Sequence, residues 1–172
     1  MLTLQGWDNI MQTLLTTTRL LGDRLRARGE TVAVSESSAG GLISAAMLAQ
    51  PGASAYFLGG AVVYTGPARS GLLGITPEDM AGMRSSSEPY AMLLARRLRE
   101  RLGATWGLAE TGAAGPAGNR YGDAAGHSCL AISGPVEMVR TLETGAGDRA
   151  ENMRAFAAAA LALLGEGLAA AD

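Results

Sequence analysis

The chain alternates between two hydrophobic rhythms. From Leu14 to Arg28 apolar residues recur at helical spacing, and the run closes on the cationic stretch RLRARGE, with Gly29 as a stop signal. ETVAVS then gives a short, β-branched, apolar run that predicts a buried strand. Gly41 to Ala49 returns to helical spacing and is ended by Pro51-Gly52. Tyr56 to Thr65, YFLGGAVVYT, predicts a second strand, whose glycines allow a bend or a close backbone approach. TPEDM marks a helix start, with Thr76 as N-cap and Pro77 at the first helical position. Ser87 to Leu102 is a long amphipathic helix capped by Ser86 or Ser87. Its arginines crowd the C-terminal half, where the helix dipole favours cations.

ATWGLAET predicts a third strand. The stretch Thr111 to Gly126 is too glycine-rich for either regular element, and a loop this long in a compact domain is usually functional or disordered. HSCLAISGPVEMVRTLET predicts an antiparallel hairpin turning at Ser133-Gly134-Pro135. GDRAENMRAFAAAALALLGEGL predicts a closing helix with Asp148 as N-cap. Strands alternating with helices, plus one hairpin, define the expected fold class: a three-layer α/β/α sandwich with a mixed sheet, in one domain over residues 1–172.

Composition narrows the picture. At 172 residues, 48% of them apolar, the chain can bury a core without disulfides or metal. A net charge of −2 argues against a nucleic-acid-binding surface. A single cysteine, Cys129, excludes an internal disulfide framework and fits a reducing, cytoplasmic setting. The N-terminus lacks the basic region of a signal peptide. No apolar stretch reaches the roughly 18 residues of a membrane span, and AFAAAALALL reads as a packed helix. All 14 basic residues are arginine.

Three predicted strand ends carry unusual chemistry: SESSAGG, YTGPAR and TGAAGPAG. Ligands of open α/β sheets sit beyond the carboxyl ends of strands, so the three are expected to meet at one edge. SESSAGG admits two readings. It is either a capped turn or a site rim, in which a serine hydroxyl projects into a cleft and the amides of the helix start stabilise an anion. TGAAGPAG matches neither the Walker A nor the Rossmann spacing. It is either a surface turn or a loop whose amides wrap a polar ligand. His127, the only histidine, lies at a strand start without a supporting motif and reads as structural. Cys129 in the same strand reads as buried. Without a histidine pair or a cysteine cluster, no zinc site is expected; no cofactor is expected either. Arg149 and Arg154 sit in the first turns of the last helix. There they either meet a phosphate or form surface ion pairs.

Taken together, these stretches resemble the C-terminal domain family of the competence/damage-inducible protein CinA, which includes stand-alone nicotinamide mononucleotide deamidases. The family's A-E-S-C-T-G-G element stands here as Ser35-Glu36-Ser37-Ser38-Ala39-Gly40-Gly41. Its P-G-S-S-x-x-F-x-G-G-x-V-x-Y-S-N-x-x-K block is PGASAYFLGGAVVYTGPAR, Pro51 to Arg69. Its V-S-E element is Ser86-Ser87-Glu88, its T-G-I-A-G-P-x-G loop is Thr111 to Gly118, and its G-D-R motif is Gly147-Asp148-Arg149. The resemblance runs from about Thr31 to Arg154.

It implies an α/β/α fold, often a homodimer, and metal-independent hydrolysis of the carboxamide of nicotinamide mononucleotide to nicotinate mononucleotide and ammonia. Ser37 falls on the family's nucleophile, and Tyr64 and Arg69 fall on its tyrosine and its lysine base. The expected catalytic set is Ser37, Arg69, Tyr64 and Thr111. The expected substrate contacts, for a small-molecule nucleotide, are Glu36, Ser38, Gly40, Gly41, Gly112, Gly115 and Arg149, with the amides of Ser38 to Gly41 steadying the oxyanion and Arg149 meeting the phosphate. No partner domain, nucleic acid or membrane is expected.

The chain departs from the pattern at several points. Arg69 replaces the lysine and cannot accept a proton at neutral pH. Cys-Thr becomes Ser38-Ala39, Ser-Asn becomes Thr65-Gly66, and the usual continuation of the glycine loop becomes NRYGDAAGHSC. Two readings therefore stand: a deamidase, or a catalytically impaired member that binds a nucleotide or a protein partner.

Overall fold

The structure, a computed structural model, describes residues 4–172, with side chains from Gln12 onward. In chain order the elements are α1 (Leu4–Arg28), β1 (Val32–Glu36), α2 (Leu42–Leu48), a 3-10 turn (Ala53–Ala55), β2 (Phe57–Val62), α3 (Gly66–Leu73), α4 (Glu88–Leu102), β3 (Trp106–Ala113), β4 (His127–Ser133), β5 (Met138–Glu143) and α5 (Arg149–Ala170). The five strands form one sheet in the order β2-β1-β3-β4-β5. β1 pairs parallel with β2 and β3, while β4 pairs antiparallel with β3 and β5. The sheet is mixed and covered on both faces.

Strand alternation decides what each face carries. Val32 and Val34 of β1, Trp106 and Leu108 of β3, and Leu130 and Ile132 of β4 join α1, α2 and α5 in one apolar core. Ala33, Ala109, Cys129 and Ala131 face the other way, toward α4 and the end of α3, with Tyr90, Leu94 and Leu98 above them. One face is bulky and the other small, so α4 can lie close to the sheet. A fully buried Leu or Ile contributes about 1.5–3 kcal/mol, so the bulky face supplies more of the apolar stabilisation.

Most predicted elements are present. Ser87 caps α4 and Asp148 caps α5, their side chains accepting from the amides of Tyr90 and Glu151. Three expectations need correction. The helix expected at Thr76 does not form. Thr76 and Asp79 exchange the reciprocal bonds of a cap, but the chain continues in turns and Gly82 takes φ +76, which ends any helix. A helix does form one segment earlier, at α3, where the sequence reading placed none. Thr65 caps it, Pro67 occupies its first turn and Gly74 closes it at φ +60. Its two internal glycines hide the helical signal. Finally, α5 is, by length and composition, apolar enough to cross a membrane. Ala157, Leu161, Leu164 and Leu168 are buried against the sheet and α1, as in a core helix.

Candidate active site

The first residues beyond β1, β2 and β3 meet at the carboxyl edge of the sheet, as expected for parallel strands that share a direction. They line a cavity of about 420 Å³, which also touches α4 and the loop after β3. This volume is ordinary for a small-molecule site. Ser37 follows β1, Tyr64, Thr65 and Gly66 follow β2, and Thr111 and Gly112 end β3. Arg69 enters from α3, Ser85, Ser86 and Tyr90 from the start of α4, and Asn119, Arg120 and Tyr121 from the loop.

The floor is set by strand parity. Glu36 and Glu110 point to the α2 face, whereas Ser37 and Thr111, one position on, line the cavity. Both carboxylates are completely buried. Glu36 accepts from the amides of Gly41 (2.9 Å), Ile43 (3.0 Å) and Ser44 (2.8 Å) and from the Ser44 hydroxyl (2.6 Å). A negative charge on the first amides of α2 satisfies both the unpaired donors and the dipole. Glu110 accepts from the amides of Ser37 (3.1 Å) and Ala39 (2.7 Å) and from the hydroxyls of Ser38 and Ser128. Burial pushes the Glu110 carboxyl up. Its donors pull against that shift, and the neighbouring Glu36 charge adds to it. Gly40 and Gly41, at φ +69 and +101, let the chain turn tightly enough for one short segment to serve both acids.

These bonds revise the expected oxyanion site. The amides of Ala39 and Gly41 are held by the two carboxylates, and the Gly40 amide donates to the Ser37 carbonyl at 3.2 Å. Among the described residues, only the Ser38 amide in this turn lacks an internal acceptor. The Ser38 hydroxyl turns away to Glu110, and Glu36 is walled off beneath the turn. The Ser37 side chain is half-buried, lines the cavity and makes no hydrogen bond to another described side chain.

Of the other expected residues, Tyr64, Arg69, Thr111 and Gly112 line the cavity. Gly112 is forced by contact, since a Cβ there would meet the His127 carbonyl at 2.3 Å. Gly115 and Arg149 lie outside the lining. Arg149 donates to the Gly115 carbonyl (2.8 Å) and to the Tyr64 hydroxyl (3.3 Å), bracing the loop against Tyr64. It is engaged at the rim, beside the cavity-lining Tyr64.

The rim carries the positive charge. Arg69 lies over the Tyr90 ring at 5.6 Å and reaches the Ser85 hydroxyl at 3.5 Å. Arg120 lies over the Tyr121 ring at 5.2 Å and donates to its hydroxyl at 3.1 Å. Among the described residues neither guanidinium is paired with a carboxylate, and no carboxylate lines the cavity. The loop that carries Arg120 is braced internally. The Asn119 side chain accepts from the amides of Tyr121 and Asp123 and donates to the Asp123 carboxylate, which Arg84 grips at both oxygens.

His127 lies behind this wall, not in the cavity. Its Nε2 donates to the Ser86 carbonyl at 3.0 Å and its Nδ1 faces the Glu143 carboxylate. Burial opposes its charge, but Glu143, Ser86 and Asp123 outweigh burial and hold its pKa above the ordinary value. Its grip helps to keep Ser86 at φ +57, a conformation serine seldom adopts. Cys129 is buried and burial pushes its thiol up, so it is not an activated nucleophile. Among the described residues no three acidic, histidine or cysteine side chains gather as a metal ion would need.

Sequence reasoning missed Glu110, Ser85, Arg120 and Tyr121. A glutamate inside the apolar run WGLAETGA was the available signal for the first. The other three lie in segments whose sequence carries no periodicity.

The fold is a mixed five-stranded α/β sandwich with a polar, cationic cavity at the carboxyl edge of its parallel strands. The particular family follows from comparison with known sequences and structures. The model of the CinA C-terminal domain matches residues 15–168, and the chain belongs to that family. A CinA-like protein of Prochlorococcus marinus is 42% identical over 113 residues, 66% of this chain and 26% of the relative. One from Gloeothece citriformis is 34% identical over 152 residues, 88% of this chain and 36% of the relative. The chain thus spans between a quarter and about a third of these relatives. The crystal structure of the competence damage-inducible protein A from Klebsiella pneumoniae superposes with a TM-score of 0.84 at 28% identity, covering 91% of this chain and 97% of that one. The competence/damage inducible protein from Agrobacterium tumefaciens gives 0.83 at 28% identity, covering 91% and 95%.

Proposed function

We propose that this domain is an amidohydrolase of the nicotinamide mononucleotide deamidase type. The observation that carries the reading is one cavity holding an uncommitted serine hydroxyl at a strand end together with two guanidiniums that have no carboxylate partner. Ser37 attacks the carboxamide carbon, and an acyl-serine and ammonia form. The Ser38 amide is the donor the turn leaves for the oxyanion. Arg69 and Arg120 hold the phosphate at the rim, a task suited to a fixed, permanently charged fork. Thr111 offers its hydroxyl from the floor. The test is ammonia release from nicotinamide mononucleotide by the purified protein, with Ser37→Ala as control. Turnover that the substitution abolishes supports the reading, and equal release by both proteins defeats it.

A second reading is favoured by Arg69 itself. With arginine where the family has lysine, the domain binds the mononucleotide and turns it over weakly or not at all. Calorimetry with nicotinamide and nicotinate mononucleotides then shows saturable heat and thermal stabilisation without ammonia. Absence of heat and of stabilisation counts against both readings.

A further inference from the structure

Attack by Ser37 requires a group that takes its proton. Arg69 stays charged. His127 lies outside the lining with both ring nitrogens engaged. No carboxylate lines the cavity, which leaves its phenols: Tyr64, Tyr90 and Tyr121. Tyr64 is 57% exposed, against 36% for Tyr121, and a single guanidinium, Arg149, lies over its ring and at its hydroxyl. Tyr90 is buried, and burial pushes its phenol up, with Arg69 only partly offsetting the effect.

Tyr121 is placed differently. Two guanidiniums approach its ring, Arg120 at 5.2 Å and Arg84 at 5.9 Å from its centroid. Arg120 donates to its oxygen, and the Ser85 hydroxyl lies beside it, itself touched by Arg69. Asp123 partly neutralises Arg84, but Arg69 and Arg120 carry no such partner. Asn119 fixes the backbone of the loop that presents the ring. The Ser85 hydroxyl and the Arg120 hydrogen bond lower the phenol's pKa from its ordinary value. Burial opposes this, and the charges of Arg120 and Arg69 add smaller shifts downward. Donors and cations around an acid favour its ionised form.

We propose that Tyr121, which lines the same cavity as Ser37, is the proton acceptor for that serine in place of an amine base. As the Ser37 oxygen bonds to the amide carbon, its proton passes to the Tyr121 oxygen. The C–N bond breaks, that proton leaves with the amine as ammonia, and Ser37 carries the acyl group. Water then gives a proton to Tyr121 as it attacks the ester. The proton returns to the Ser37 oxygen as the acyl bond breaks and the acid departs.

The proposal rests on Ser37 as nucleophile but is testable without the natural substrate. Acylation of Ser37 by p-nitrophenyl acetate, located by peptide mass spectrometry, is measured against pH in the wild type, Tyr121→Phe and Ser37→Ala. The wild-type rate is expected to rise with a single ionisation below the ordinary phenol range of about 10. Ultraviolet absorbance of tyrosinate should show the same step. Tyr121→Phe should lose the step and slow acylation by about 10²–10⁴-fold. Arg120→Gln keeps the phenol and should move the step to higher pH. That result excludes loss of folding as the cause. Acylation unchanged in Tyr121→Phe, or no Ser37 acylation above the Ser37→Ala control, overturns the proposal. If acylation depends on Tyr121 but nicotinamide mononucleotide yields no ammonia, the substrate reading fails and the base stands. If Tyr121→Phe deamidates at the wild-type rate, the base fails and the substrate reading stands.

Discussion

The floor and the rim of the cavity are built on opposite plans. The floor consists of strand ends fixed from below by two buried carboxylates, which take seven of their eight hydrogen bonds from the short segment Ser37 to Ser44. The rim consists of arginines and tyrosines on loops and helix starts, stacked on one another; Arg120 and Tyr121 are open to solvent, whereas Tyr90 under Arg69 is buried. The floor's charges are consumed inside the protein, whereas those of Arg69 and Arg120 remain available. Buried charge here fixes geometry, and rim charge is free for a ligand. The difference predicts that floor substitutions act on folding and rim substitutions on binding.

The largest expected effect is on the floor. Glu36→Ala and Glu110→Ala each strand several buried donors, at about 1–3 kcal/mol per stranded group. Each should lower the melting temperature by about 6 °C or more, given about 2–4 °C per kcal/mol at this chain length. The amide variants sharpen the point. Glutamine at 110 can accept both backbone amides on its oxygen and donate to the two hydroxyls, so Glu110→Gln should be at least as stable as the wild type at neutral pH. Glutamine at 36 faces three backbone donors and cannot satisfy them all, so Glu36→Gln should melt lower. A scan in which the two amide variants melt alike breaks this account.

A smaller effect is expected at the rim. Arg69→Ala and Arg120→Ala should each weaken binding of a phosphate monoester by about 10–100-fold, the worth of one charged hydrogen bond. Their melting temperatures should stay near that of the wild type. Titration calorimetry that finds unchanged affinity removes the rim's assigned role.

The smallest effect concerns the wall between the two. His127 has a raised pKa in the fold, so its contribution is complete below the unfolded value of about 6.5 and is lost as pH rises through the folded value. The stability advantage of the wild type over His127→Gln should therefore shrink as pH climbs above about 6.5. Denaturant melts at several pH values measure it, and an advantage that grows with pH contradicts the assignment.

How much of this was legible depended on periodicity. β1, α4 and α5 announced themselves by pattern and caps, and SESSAGG, YTGPAR and TGAAGPAG were placed at strand ends correctly. α3 was missed because its glycines dilute the helical signal, and the Thr76 cap led nowhere because Gly82 turned the chain. Within the site, Ser37, Tyr64, Arg69, Thr111 and Gly112 reached the cavity. Glu36, Ser38, Gly40, Gly41, Gly115 and Arg149 proved to be engaged beneath or beside it.

By itself the sequence determined the alternation of elements, the caps that bound them and the family they belong to, because these depend on residues near one another in the chain. Which acid faces which amide was decided only by the sheet, which brings Glu110 beside Ser38 across 72 positions. The same holds for Tyr121, whose neighbours Arg69 and Ser85 come from distant segments. Electrostatic environment is a property of assembled space, and no local pattern records it.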